Sequence, residues 1–222
     1  MATLSAAAYF LSRHPFWSLL LLIAGCNGVA LLLSQWTGSK RWLWLCAIGV
    51  AAGIANLPGG RHLNAWFLHA CGTAGSATVV GIDEVPISYS EQAVFAYRAV
   101  LRTADGADVN VDFDTLNVAL YPLRANDLLP PPGEPFAVRY VPGFERNIAI
   151  MVDESGYGRR HRLNQDREPV RRAAAQLAVS PRNPRFVAEY RDAVRTFLRA
   201  HRDALDPAEA RALEDSVSAA GR

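Results

Sequence analysis

Between His14 and Lys40 the chain carries 25 consecutive residues without a charge, and between Arg41 and Arg61 a further 19. An apolar helix of about 20 residues, rising 1.5 Å per residue, matches the ~30 Å hydrocarbon layer of a bilayer. Phe16–Leu33 is almost wholly apolar. The second run opens with Trp42 and Trp44, where an interfacial aromatic belt falls, and ends at Pro58-Gly59-Gly60, which reads as a helix stop. These runs predict a membrane α-helical hairpin with helices over about 16–34 and 41–58, inside a segment 15–60 that follows an N-terminal tail at 1–14. A cleaved signal peptide does not fit. The first run is longer than a signal core, no small-x-small site follows it, and a second span comes at once.

Charge separates this anchor from the rest. Residues 1–60 hold three Lys or Arg and no acid, 61–160 hold eight against twelve acids, and 161–222 hold twelve against nine. That asymmetry excludes a wholly soluble chain and a polytopic transporter. Arg13 and Arg61 lie on one side of the hairpin and Lys40 and Arg41 on the other, a near balance in the positive-inside count. The Arg-rich tail tilts the expectation toward a multi-pass bacterial inner-membrane protein whose soluble module is cytoplasmic. Cys26, Cys46 and Cys71 leave the soluble part without a cysteine pair, which fits that compartment.

Gly49 and Gly53 form a GxxxG, and Ala24 and Gly28 share its spacing. Small residues four apart let helix backbones approach closely. Two uses are expected: packing the hairpin against itself, or pairing with a second copy or a membrane-complex partner through Gly49 and Gly53. Asn27, polar inside the first span, is expected to bond the neighbouring helix rather than line a pathway.

Residues 61–76 read as a linker or interfacial helix, and 77–152 change to alternating, β-branched sequence. Strands are expected at Ala77–Val85, Gln92–Arg102, Asp108–Thr115, Phe136–Val141 and Asn147–Val152. Asp105-Gly106 and Pro142-Gly143 supply turns, Leu116–Leu129 is irregular, and Pro130-Pro131-Pro132-Gly133 is a rigid break. The expected fold is a small antiparallel all-β module, a partly open barrel or twisted sheet. Thr78 to Gly81, Tyr97, Asp105-Gly106, Gly133, Val138, Tyr140 and Pro142 carry a resemblance to a bacterial membrane-anchored domain family of unknown function. It implies a small all-β module adjoining transmembrane helices, and no catalytic residue.

Beyond a basic linker at Gly156–Arg162, residues 153–222 predict C-terminal α-helices. The segment 185–204 carries an apolar stripe of Phe186, Tyr190, Ala193, Val194, Phe197 and Leu198. That stripe is expected to dock on its own domain or on a partner helix. The interspersed charges do not make a nucleic-acid footprint.

Chemistry is sparse. Asp108, Asp112 and Asp114 offer oxygen ligands for a hard cation, although strand alternation alone accounts for them. His62, His69 and Cys71 offer imidazole and thiolate ligands but no evident fourth group. No Gly-x-Ser-x-Gly elbow or phosphate-binding glycine loop occurs, and Gly156-Tyr157-Gly158 lacks a third glycine. The chain is therefore expected to be a non-catalytic binding, scaffolding or assembly component without a cofactor, its partner the lipid bilayer and no nucleic acid. The alternatives are a membrane-tethered enzyme or metal-binding protein, and an accessory subunit of a transport or envelope complex.

Overall fold

The computed structural model describes residues 1–89, 92–123 and 128–220. The expected irregular stretch at 116–129 thus lies partly outside the described residues. The chain divides into two compact units, 1–158 and 159–222.

The first unit begins with α1 (Ala2–Arg13) and α2 (Pro15–Thr37). Position 1–14, expected as a tail, is therefore helical. Pro15 takes the first turn of α2, where its missing N–H costs least, and Gly38 closes the helix at φ 66°. A single 3-10 turn at Lys40–Leu43 leads into α3 (Trp44–Cys71). Both long helices are apolar enough to cross a membrane.

The helix stop expected at Pro58-Gly59-Gly60 is absent, and of the linker or interfacial helix expected at 61–76 the structure has helix as far as Cys71. α3 runs through Pro58 as one helix of 28 residues, about 42 Å. Gly60 serves close packing: a Cβ there would lie 3.2 Å from the Leu11 carbonyl oxygen and 3.3 Å from the Ser12 Cα. Only Gly72 separates α3 from the first strand.

The strands are β1 (Thr73–Tyr89), β2 (Gln92–Arg102), β3 (Asp108–Asp114), β4 (Ala119–Tyr121), β5 (Pro135–Val141) and β6 (Phe144–Met151). They form one open sheet in the order β3-β2-β1-β5-β6-β4. The expected antiparallel module of five strands is corrected to six strands in a mixed sheet, because β4 pairs parallel to β6. Three residues, Ala119, Leu120 and Tyr121, are too few to show a period of two. β1 continues past Val85 to Tyr89, with its register to β2 interrupted between Val85 and Ser88.

One face of the sheet closes over Val79, Leu101, Val111, Phe113, Phe136, Val138, Ile148 and Ile150. Phe113 stacks on Tyr97 at 5.0 Å between ring centroids. The opposite face of β4, β5 and β6 packs Ala119, Val141, Ala149 and Met151 against Ala65 and Leu68 of α3. Along β6 alternate side chains enter these two clusters, so its last five residues are buried without a wet face. Tyr140 ties the sheet to its turn: its hydroxyl accepts the Ala104 N–H at 2.9 Å, beside Asp105-Gly106. Gly106 holds φ 86° there.

Gly156–Arg162, expected as a flexible linker, opens α4 (Gly156–Val179), and Tyr157 enters the core of the first unit. The second unit contains the rest of α4 with α5 (Pro184–His201) and α6 (Pro207–Ala219). Asn183 and Asp206 cap α5 and α6 through their side-chain oxygens, each followed by a proline. Val170, Ala173, Tyr190, Val194, Phe197, Leu205 and Ala210 form the core. The stripe expected on 185–204 is thus largely spent inside its own unit.

Candidate functional site

α1 and α2 pass α3 in succession. Cys26 and Leu22 meet Gly49, Leu19 meets Gly53, Leu11 and Ser12 meet Gly60, and Leu11 bonds Asn56. Pro15 explains the polar groups at this joint. Lacking an N–H, it leaves the Leu11 carbonyl without its helical donor. Asn56 of α3 donates to that oxygen from Nδ2 at 2.9 Å, and the Ser18 hydroxyl reaches it at 3.3 Å. A buried carbonyl without a partner costs about 1–3 kcal/mol, so these side chains hold the kink in an apolar setting.

Further along, a buried polar seam joins both helices to the sheet. Asn64 of α3 donates to Asn147 Oδ1 at 2.8 Å, and Asn147 of β6 donates back to Asn64 Oδ1 at 2.9 Å. Asn147 Nδ2 also meets the Ser5 hydroxyl at 3.0 Å and the Ser5 carbonyl at 3.2 Å. At the rim Arg13 pairs with Asp114 at 3.3 Å and lies over the Tyr9 ring. The cleft between these residues holds about 20 Å³, the size of one water. Such a site holds elements in register; it has no room for a substrate.

The residues singled out in the sequence fall as follows. Gly49 and Gly53 face α2, and a Cβ on them would lie 2.5 Å from Cys26 Cβ and 2.6 Å from Leu19 Cδ1. Their surfaces are occupied within the hairpin. Ala24 is exposed, and a Cβ on Gly28 would meet open space. Asn27 bonds back to the Ile23 carbonyl of its own helix at 2.7 Å rather than to the neighbouring helix. His69 stacks on Tyr121 with centroids 3.8 Å apart, while Cys71 is exposed and His62 lies two turns earlier on α3.

On β3, Asp108 makes a two-pronged bond to Arg102 at 3.0 and 3.2 Å. Asp114 accepts the N–H groups of Leu116 and Asn117 and caps the turn that follows. Asp112 is exposed. Among the described residues no three His, Cys, Asp or Glu side chains are grouped so as to hold a metal ion.

Two carboxyls at the turn between β2 and β3 and one buried phenol on α4 are shifted from their ordinary values. The Arg102 bond holds the Asp108 carboxyl below the usual range, and a Thr103 hydrogen bond does the same for Asp105. Burial, with Glu134 nearby, pushes the Tyr157 hydroxyl above its ordinary value. That hydroxyl donates to the Leu128 carbonyl, a structural bond.

Ser5, Asn56, Asn64 and Asn147 escaped the reading of the sequence. For Asn56 and Asn64 the signal was available, since each is a polar residue flanked by apolar neighbours on a helix and must find a partner when buried, whereas Asn147 follows Glu145-Arg146 and does not stand out. No family model, no curated protein and no solved structure matches the chain.

Proposed function

We propose that the chain is an integral inner-membrane protein of bacterial type, a non-catalytic binding, scaffolding or assembly component whose sheet module faces the cytoplasm. The observation that carries the membrane part is α2. It is uncharged throughout, yet of its 23 residues only Ser18 and Ala30 are buried, with Leu32 at 68 % and Phe16 at 63 % exposure. An all-round apolar helix left open on nearly every side matches lipid as its solvent. Trp36, Trp42 and Trp44 gather at the Lys40–Arg41 end, where an interfacial belt belongs.

α3 exceeds the hydrocarbon thickness by about 12 Å, and its last two turns carry Asn64 and Leu68 into the sheet. The module would thus ride on the bilayer without a flexible tether, as a mounting for partners requires. The chemistry-bearing side chains Asp108, Asp114 and His69 are engaged in structural contacts, which favours binding over catalysis.

Reporter fusions after residue 222 and within Ser34–Arg41, with alkaline carbonate extraction, test this reading. It expects a protein retained in the membrane pellet, a cytoplasmic tail and an outward hairpin turn. Release into the carbonate supernatant overturns the anchor, and an outward tail overturns the orientation. Turnover of a substrate by the purified protein, abolished by one substitution in the sheet, overturns the non-catalytic role.

A further inference from the structure

In the second unit α5 and α6 enclose an open groove of about 570 Å³, within the range that accommodates ligands. Leu198 and Val217 form its apolar floor. Along one wall stand Arg195 and Arg199, four residues apart on one face of α5, and Arg202 in the 3-10 turn that follows the helix. Arg202 is held by Glu214 of α6 at 3.0 Å. Among the described residues Arg195 and Arg199 have no ion-pair partner, and both are exposed. Each presents a planar fork of donors shaped for a carboxylate.

We propose that this groove receives an acidic amphipathic helix of a partner protein. The proposal deepens the binding-component reading and rests on it. An apolar floor beside a basic stripe at helical spacing is the complement of a helix bearing apolar anchors with carboxylates one turn apart. The groove's rim also carries Asp203 and Glu214. These acids disfavour a uniformly anionic surface, such as nucleic acid or an acidic bilayer, and suit a helix of mixed charge.

The test uses the full chain in detergent and a fluorescein-labelled synthetic helix with Glu at i, i+4 and i+7 and Leu on the adjoining face. Anisotropy is expected to show saturable one-to-one binding that weakens with salt. The Arg195→Glu/Arg199→Glu variant should weaken it about tenfold or more, and Arg195→Lys/Arg199→Lys should restore part of the loss. Circular dichroism checks that the variants keep their helices. No saturable binding overturns the proposal, as does equal binding of a scrambled peptide of the same charge. Binding of phosphatidylglycerol vesicles through the same arginines, with none of the peptide, overturns it in favour of a membrane contact. Carbonate extraction of the membranes from which each protein is purified separates the two failures: retention in the pellet alongside a failed peptide titration removes this inference and leaves the anchor standing.

Discussion

Asn64 and Asn147, 83 residues apart, exchange two amide hydrogen bonds of 2.8 and 2.9 Å in a position from which solvent is almost wholly excluded. One belongs to the helix that carries the apolar span and the other to a central strand of the module. Each satisfies the other's donor and acceptor, and Ser5 takes what remains of the Asn147 amide. The pair therefore fixes the height at which β6 docks along α3.

Replacing Asn147 with Leu leaves the Asn64 amide buried without its partner, at an expected cost of about 1–3 kcal/mol. The double variant Asn64→Leu/Asn147→Leu removes both amides together and should lose less than the two single losses added. Thermal unfolding in detergent of all four proteins closes the cycle. Strict additivity would mean that the two amides do not depend on each other.

Asn56 and Asn27 are both asparagines in apolar helices, yet they should respond differently. Asn56 completes a carbonyl that Pro15 orphans on another helix, whereas Asn27 only doubles a bond within its own. Asn56→Leu is expected to lower stability by about 1 kcal/mol or more, and Asn27→Leu to change it little. Equal melting temperatures for the two variants would remove the role assigned to Pro15.

Gly49 and Gly28 give a second contrast. A Cβ on Gly49 would press into Cys26, while one on Gly28 meets nothing within 4 Å. Gly49→Leu should therefore force the hairpin apart, costing about 1–3 kcal/mol, and Gly28→Leu should be tolerated. The comparison also bears on self-association. If Gly28→Leu abolished a dimer seen by crosslinking in membranes, a helix face left open within the protomer would be the contact.

The sequence made some of this legible and hid the rest for identifiable reasons. Uncharged length alone revealed the two apolar helices, and alternation revealed β3, because Val111 and Phe113 have a core on one side and Asp108 and Asp112 have water on the other. β6 lacked that pattern since both of its faces are covered. Pro58 and the glycines after it looked like an end to α3, but a proline's effect depends on what packs around it, and here Leu11 and Ser12 lie against Gly60. The seam was hidden because its members stand at positions 5, 64 and 147, brought together only by the fold. The arginine groove was hidden for a related reason: its floor combines Leu198 with Val217 from another helix, and the stripe on α5 was read for its apolar residues.

Acid should loosen the turn between β2 and β3 before the rest of the sheet. Arg102 bonds Asp108 through two nitrogens, and Asp105 accepts from Thr103, so both carboxyls titrate below the ordinary value near 4. A carboxyl whose pKa is depressed in the folded state contributes stability that is fully present above its unfolded pKa and is lost as pH falls through the folded one. The window therefore opens just below pH ~4 and extends downward. Both groups are at the surface, so the contribution is small and weakens with salt. Amide exchange of β2 and β3 at low ionic strength should accelerate, relative to that of β5 and β6, as pH drops through this window, after correction for intrinsic rates. In Asp108→Asn that selective acceleration should shrink, because the Arg102 pair no longer titrates. If β5 and β6 loosened first, the turn's carboxylates would not be the groups through which acid reaches the sheet.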